Sequence, residues 1–128
     1  MGNINLSFNR LEYAAIVKVA LTMATADGHV DENEKIMIVG EALRFSIKKD
    51  DFKSIYELSK EMSAADSIIL ISKMDETHKK YVAAYLGTMI SIDGDIDDEE
   101  LKFWRLVSSL ADLPTMSIAE AEKYMSNL

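Results

Sequence analysis

Residues 27–34 read Asp27-Gly28-His29-Val30-Asp31-Glu32-Asn33-Glu34, and residues 93–100 read Asp93-Gly94-Asp95-Ile96-Asp97-Asp98-Glu99-Glu100. Both stretches fit D-G-x-[V/I]-D-x-x-E without a gap, Asp93 answering to Asp27 and Glu100 to Glu34. Carried backwards at the same offset, Ile16 pairs with Val82, Thr22 with Thr88, Met23 with Met89 and Thr25 with Ser91. Each motif follows an apolar segment and precedes an amphipathic one. Self-similarity at a fixed spacing marks an internal duplication, here of helix, acidic loop, helix. The reading predicts an all-α fold with a pseudo-twofold repeat, its two buried central helices each ending in an acidic D-G loop.

Each residue type in the motif has a physical role. Gly28 and Gly94 stand where an apolar helix must stop, a position that favours φ > 0. Asp31 and Asp97 occupy N-cap positions, with Glu34 and Glu100 three residues on, which is the acidic form of a capping box. Ile96 and Leu101 fit the accompanying hydrophobic staple; in the first copy Lys35 takes the second place and weakens it. Carboxylates at a helix N-terminus also suit the macrodipole. Capping leaves Asp27 and Asp93 unexplained, along with the density of charge: ten of the chain's 22 acids fall in these two short stretches. Clustered carboxylates repel unless they are spread into water or shared around a cation.

The second half of an EF-hand loop has the same pattern, with ligands at its positions 5, 9 and 12 and glycine at 6. The first half does not fit. Its positions 1 and 3 fall on Met23 and Thr25, and again on Met89 and Ser91, and methionine supplies no hard oxygen. The segments before Asp27 and Asp93 also read as helix, so an EF-hand is excluded.

Paired motifs of this kind, each closing an apolar helix and opening an amphipathic one, resemble the TerB-like domain, the family of the tellurite-resistance protein TerB. A related domain occurs in some membrane-anchored J-domain co-chaperones. The resemblance covers roughly residues 8–128. It implies a compact all-helical fold of about seven helices, an acidic patch that binds divalent cations and a link to tellurite or envelope stress. It carries no enzymatic reaction. The family's acidic positions map onto Asp27, Asp31, Glu34, Asp93, Asp97 and Glu100. All-oxygen ligands of this kind suit Ca²⁺, Mg²⁺ or Mn²⁺.

The chain has 128 residues, no cysteine and a net charge of −8. That length predicts one domain, able to bury roughly two-thirds of its unfolded surface without a staple. The lack of cysteine excludes disulfides, thiolate chemistry and a Cys-based zinc site. The acidic balance argues against nucleic acid and anionic membranes and permits cations or a basic protein partner. Met1 to Leu6 carries no signal-peptide pattern, and Leu6 breaks the myristoylation pattern that begins at Gly2. The expected location is cytoplasmic.

Residues 1–8 read as a polar arm before a domain spanning 9–128. Asn9 with Glu12 starts a first helix that is apolar nearly all round from Ala14 to Ala26, the mark of a buried element. It is too short and too interrupted to span a membrane. A second helix is expected at 32–45, with Ile36, Val39 and Leu43 on one face and Gly40 at a close crossing. A third reaches about Met62, a fourth follows Ser63, and a fifth spans Glu76 to Ile92. The S-I-I-L-I-S run of the fourth has strand-like periodicity but no strand to pair with, so it reads as helix. A sixth helix covers about 98–111, Leu113-Pro114 breaks the chain, and Ser117 with Glu120 opens a seventh. Ala14, Ala15 and Ala20 match Ala83, Ala84 and Gly87 in kind, which predicts that the first and fifth helices cross closely.

The remaining residues read mainly as structure. His29 is a loop histidine and His78 a first-turn histidine; neither has zinc-ligand spacing. The eight methionines are core filler, and Trp104 is a core residue. There is no nucleophile elbow, phosphate loop or H-E-x-x-H, so an enzyme is not expected. Two functions stay open: a cation-binding module, or a metal-free module docking a basic partner through its acidic face.

Overall fold

Asn9 fixes where the first helix begins. Its side-chain oxygen accepts from the Glu12 amide (2.8 Å), and the Glu12 carboxylate accepts from the Asn9 amide (2.9 Å), closing the expected capping box. Helix α1 then runs Arg10–Ala24. The computed structural model describes residues 8–25, 39, 49–91 and 96–127. Within them follow α2 (Lys49–Ser59), α3 (Ala64–Ser72), α4 (Glu76–Ser91), α5 (Asp98–Leu110) and α6 (Ile118–Ser126). The described residues contain no strand, and the S-I-I-L-I-S run is helical. The fold is all-α, a single domain around one core. The helix expected at 32–45 lies outside the described residues except at Val39, which is helical and fully buried.

The apolar character of α1 and α4 places both inside. Ala14 to Val17 and Tyr81 to Leu86 are wholly inaccessible. Helices α2 and α3 pack on α1, α5 and α6 pack on α4, and α1 and α4 touch each other. Helix α1 begins at Arg10 and α4 at Glu76, the same offset that separates Asp27 from Asp93. Asp75 Oδ1 accepts from the His78 amide at 2.8 Å, just as Asn9 accepts from Glu12 at the start of α1. Ile16 and Val82, Val17 and Ala83, Val19 and Tyr85, and Met23 and Met89 are buried in matched places.

Gly87 acts differently from expectation. A Cβ on Gly87 would lie 2.7 Å from Trp104 Cζ2 and 2.8 Å from Ala121 Cβ. Gly87 therefore admits α5 and α6 to α4, rather than serving a crossing with α1. The Trp104 indole N–H donates to the Ala83 carbonyl (3.1 Å), so the ring is both buried and satisfied. Phe8, read as the end of the arm, is in the core; its ring meets the rings of Tyr13, His78 and Tyr81.

Helix α5 stops before Pro114. Asp112 has φ 57°, and the Leu113 amide donates to the Ser108 carbonyl (2.8 Å). This is a Schellman-type ending, with aspartate at the left-handed position that glycine usually fills. Ser63 caps α3 through the Asp66 amide (3.0 Å). Ser117 and Glu120 form the expected capping box on α6.

Candidate functional site

Of the sequence-derived site residues, Asp27, Gly28, Asp31, Glu34, Asp93 and Gly94 lie outside the described residues. Asp97 and Glu100 are described. Asp97 is the N-cap of α5: its Oδ1 accepts from the Glu99 amide (2.9 Å) and the Glu100 amide (3.1 Å). Glu100 is 9% exposed, with the exposed Asp98 and Glu99 beside it in the first turn. Lys102 reaches Glu99 at 3.4 Å, both side chains well exposed. Among the described residues no group of three His, Asp or Glu side chains converges as a metal site.

The supports of the motifs are clearer. Helix α1 ends at Ala24 and α4 at Ser91, each just ahead of its Asp-Gly pair. Ser91 Oγ donates to Glu122 Oε2 (2.7 Å), tying the end of α4 to α6. Thr22 Oγ1 donates to the Lys18 carbonyl (2.7 Å). Its counterpart Thr88 has a buried Oγ1 with no hydrogen-bond partner among the described residues. Ile96, the apolar residue of the second motif, is 54% exposed. It lines an open groove with Leu101 between α5 and α6.

Sequence reasoning missed the partner of His78. Its Nδ1 lies 2.7 Å from Asp75 Oδ1, and its ring meets Phe8 edge-on with centroids 4.6 Å apart. The backbone N–H of His78, and then its side chain, hold the Asp75 carboxyl below the usual carboxylate range. The i, i+3 spacing could have suggested this pair; the Phe8 contact has no local signal. Burial raises the Tyr85 hydroxyl well above its ordinary pKa, and that hydroxyl donates to the Val39 carbonyl (3.3 Å).

The fold recurs in a known crystal structure, that of a protein of unknown function from Porphyromonas gingivalis. The two share 40% sequence identity and superpose with a TM-score of 0.85, over 99% of this chain and 96% of the other. The chain belongs to that protein's family. Identity of this order over whole chains fixes a common architecture for the family and leaves its activity to be read from the residues. No family model and no functionally curated protein matches the chain. No described helix is long and apolar enough to cross a membrane.

Proposed function

We propose that this chain is a non-enzymatic, cytoplasmic TerB-like module whose two acidic loops bind a divalent cation, acting in a response to tellurite or envelope stress. The observation that carries the reading is the matched support of the two motifs. Each follows a core helix, and the starts of the two helices, Arg10 and Glu76, are spaced as the motifs are, with equivalent caps and equivalent buried positions. This supports a duplicated unit that presents both acidic loops from one core. Asp27, Asp31, Glu34, Asp93, Asp97 and Glu100 would hold the ion, and their oxygens suit Ca²⁺, Mg²⁺ or Mn²⁺. The donor set fits on two further counts. Asp97 Oδ1 serves the α5 amides, which leaves Oδ2, since a carboxylate accepts at both oxygens. Thr88 Oγ1, in the last turn of α4, is a further hard oxygen without a described partner.

A thermal melt of chelator-stripped protein, titrated separately with each ion, tests the reading. An ion at about 100 times its dissociation constant stabilises by about 2.7 kcal/mol, which raises Tm by several degrees. The shift should be selective for one ion and absent from Asp27→Asn and Asp93→Asn.

The capping role of Asp97 and the exposure of Asp98 and Glu99 favour a second reading, a metal-free acidic face that docks a basic partner. Equal small shifts with every ion would support it. Partner affinity would then fall gradually with salt and with each acid removed.

A further inference from the structure

Two open grooves meet at the bend between α5 and α6. The larger, about 910 Å³, includes Leu101, Arg105, Leu113 and Met116 in its lining; the smaller, about 500 Å³, lies beside Lys80, Lys123 and Tyr124. Thr115, Met116 and Glu120 belong to both and form their common wall. The chain carries a net charge of −8, yet three cations line these grooves, Arg105, Lys80 and Lys123, against two carboxylates, Asp112 and Glu120. Asp112 faces Lys79 at 3.7 Å. Glu120 accepts from the Ser117 amide at 2.8 Å and closes the α6 capping box. Arg105, Lys80 and Lys123 form no ion pair with a described residue. Lys80 stands 5.5 Å from the centre of the Tyr124 ring.

We propose that these joined grooves dock a short acidic segment of a partner protein, with apolar anchors against Leu101, Leu113 and Met116 and carboxylates at Arg105, Lys80 and Lys123. Arg105 lies in the larger groove and Lys80 and Lys123 in the smaller, with Met116 in the wall they share, so one occupant must span the bend to meet all three. An extended peptide does this. A small molecule is better served by a cavity that encloses most of its surface. A guanidinium presents a planar fork for a carboxylate, and a flexible methionine adapts to varied apolar side chains. The proposal uses none of the acidic-loop ligands and stands apart from the cation reading.

The test pans short random peptides displayed on phage against the intact chain, with the Arg105→Glu, Lys123→Glu double variant as counter-target. Both residues are exposed, and an unchanged melting temperature checks that the variant folds. The expected winners combine Asp or Glu with Leu, Ile or Phe. A labelled winner should bind saturably by fluorescence anisotropy and shift the Trp104 indole and Thr115 amide resonances. It should lose roughly tenfold or more in affinity on the double variant, as expected for lost charge pairs. The neutral pair Arg105→Gln, Lys80→Gln should weaken it in the same direction, while Lys102→Glu, outside both grooves, should not. Winners that are basic, that bind the double variant equally, or that shift resonances elsewhere would overturn the proposal, as would no enrichment over the counter-target. Concentration-dependent self-association abolished by Arg105→Glu would put a second copy in the groove and equally overturn it.

Discussion

Asp112 carries a left-handed backbone at φ 57° that costs an L-residue roughly 1 kcal/mol and glycine almost nothing. Its ion pair with Lys79 offsets little, because the carboxylate is 96% exposed and such pairs contribute on the order of 0–1 kcal/mol. Asp112→Gly should therefore stabilise the fold by up to about 1 kcal/mol, read as a higher urea midpoint with an unchanged m-value. Gly87 predicts the opposite sign. Its missing Cβ is space that Trp104 and Ala121 occupy, so Gly87→Ala should destabilise by about 1–3 kcal/mol through overpacking. A melt of the variant unchanged within a degree would show that α5 and α6 do not sit where described. The sequence marked Gly87 as a close approach but assigned it to α1 rather than to α5 and α6. It marked Trp104 as core without revealing its bond to Ala83. A residue's kind is local information, whereas the identity of its neighbour depends on how helices far apart in sequence come to pack.

The helix ends were the most legible elements. Asn9 with Glu12, Ser63 with Asp66, and Ser117 with Glu120 each lie three residues apart, so sequence spacing alone sets the bond. These caps also predict an acid response. Hydrogen bonds from His78 hold the Asp75 carboxyl below its ordinary value, and those from Ser117 do the same for Glu120. A carboxyl with a depressed folded pKa contributes stability that is fully present above its unfolded value, near 4, and is lost as pH falls through the folded value. Tm should thus decline as pH drops below about 4. Asp75→Asn and Glu120→Gln should each lower Tm at neutral pH and flatten that decline; an unchanged acid profile in both would remove the caps as its cause. The bend after α5 was less legible. Proline marked a break near Leu113, but Asp112 makes the turn, and aspartate seldom signals a left-handed residue.

At the scale of the molecule, two helices apolar nearly all round, α1 and α4, lie at the centre of the all-α core, and their composition revealed both before any contact was known. The motif copies behind them direct ten acids to two short stretches of one small domain. Sequence could identify the donors and their chemistry. It could not supply the distance between the loops, which depends on how the halves of the chain pack. Relaxation of amide resonances by Mn²⁺ measures that directly, since the ion broadens only what lies near it. The account predicts that substoichiometric Mn²⁺ selectively broadens Thr25, Ser91 and Asp97 to Glu100, spares α6 beyond Glu122, and loses this effect in both Asp27→Asn and Asp93→Asn. Broadening spread evenly over every exposed acid, or unchanged in the two variants, would contradict a shared cation site and leave the acidic loops as a docking face.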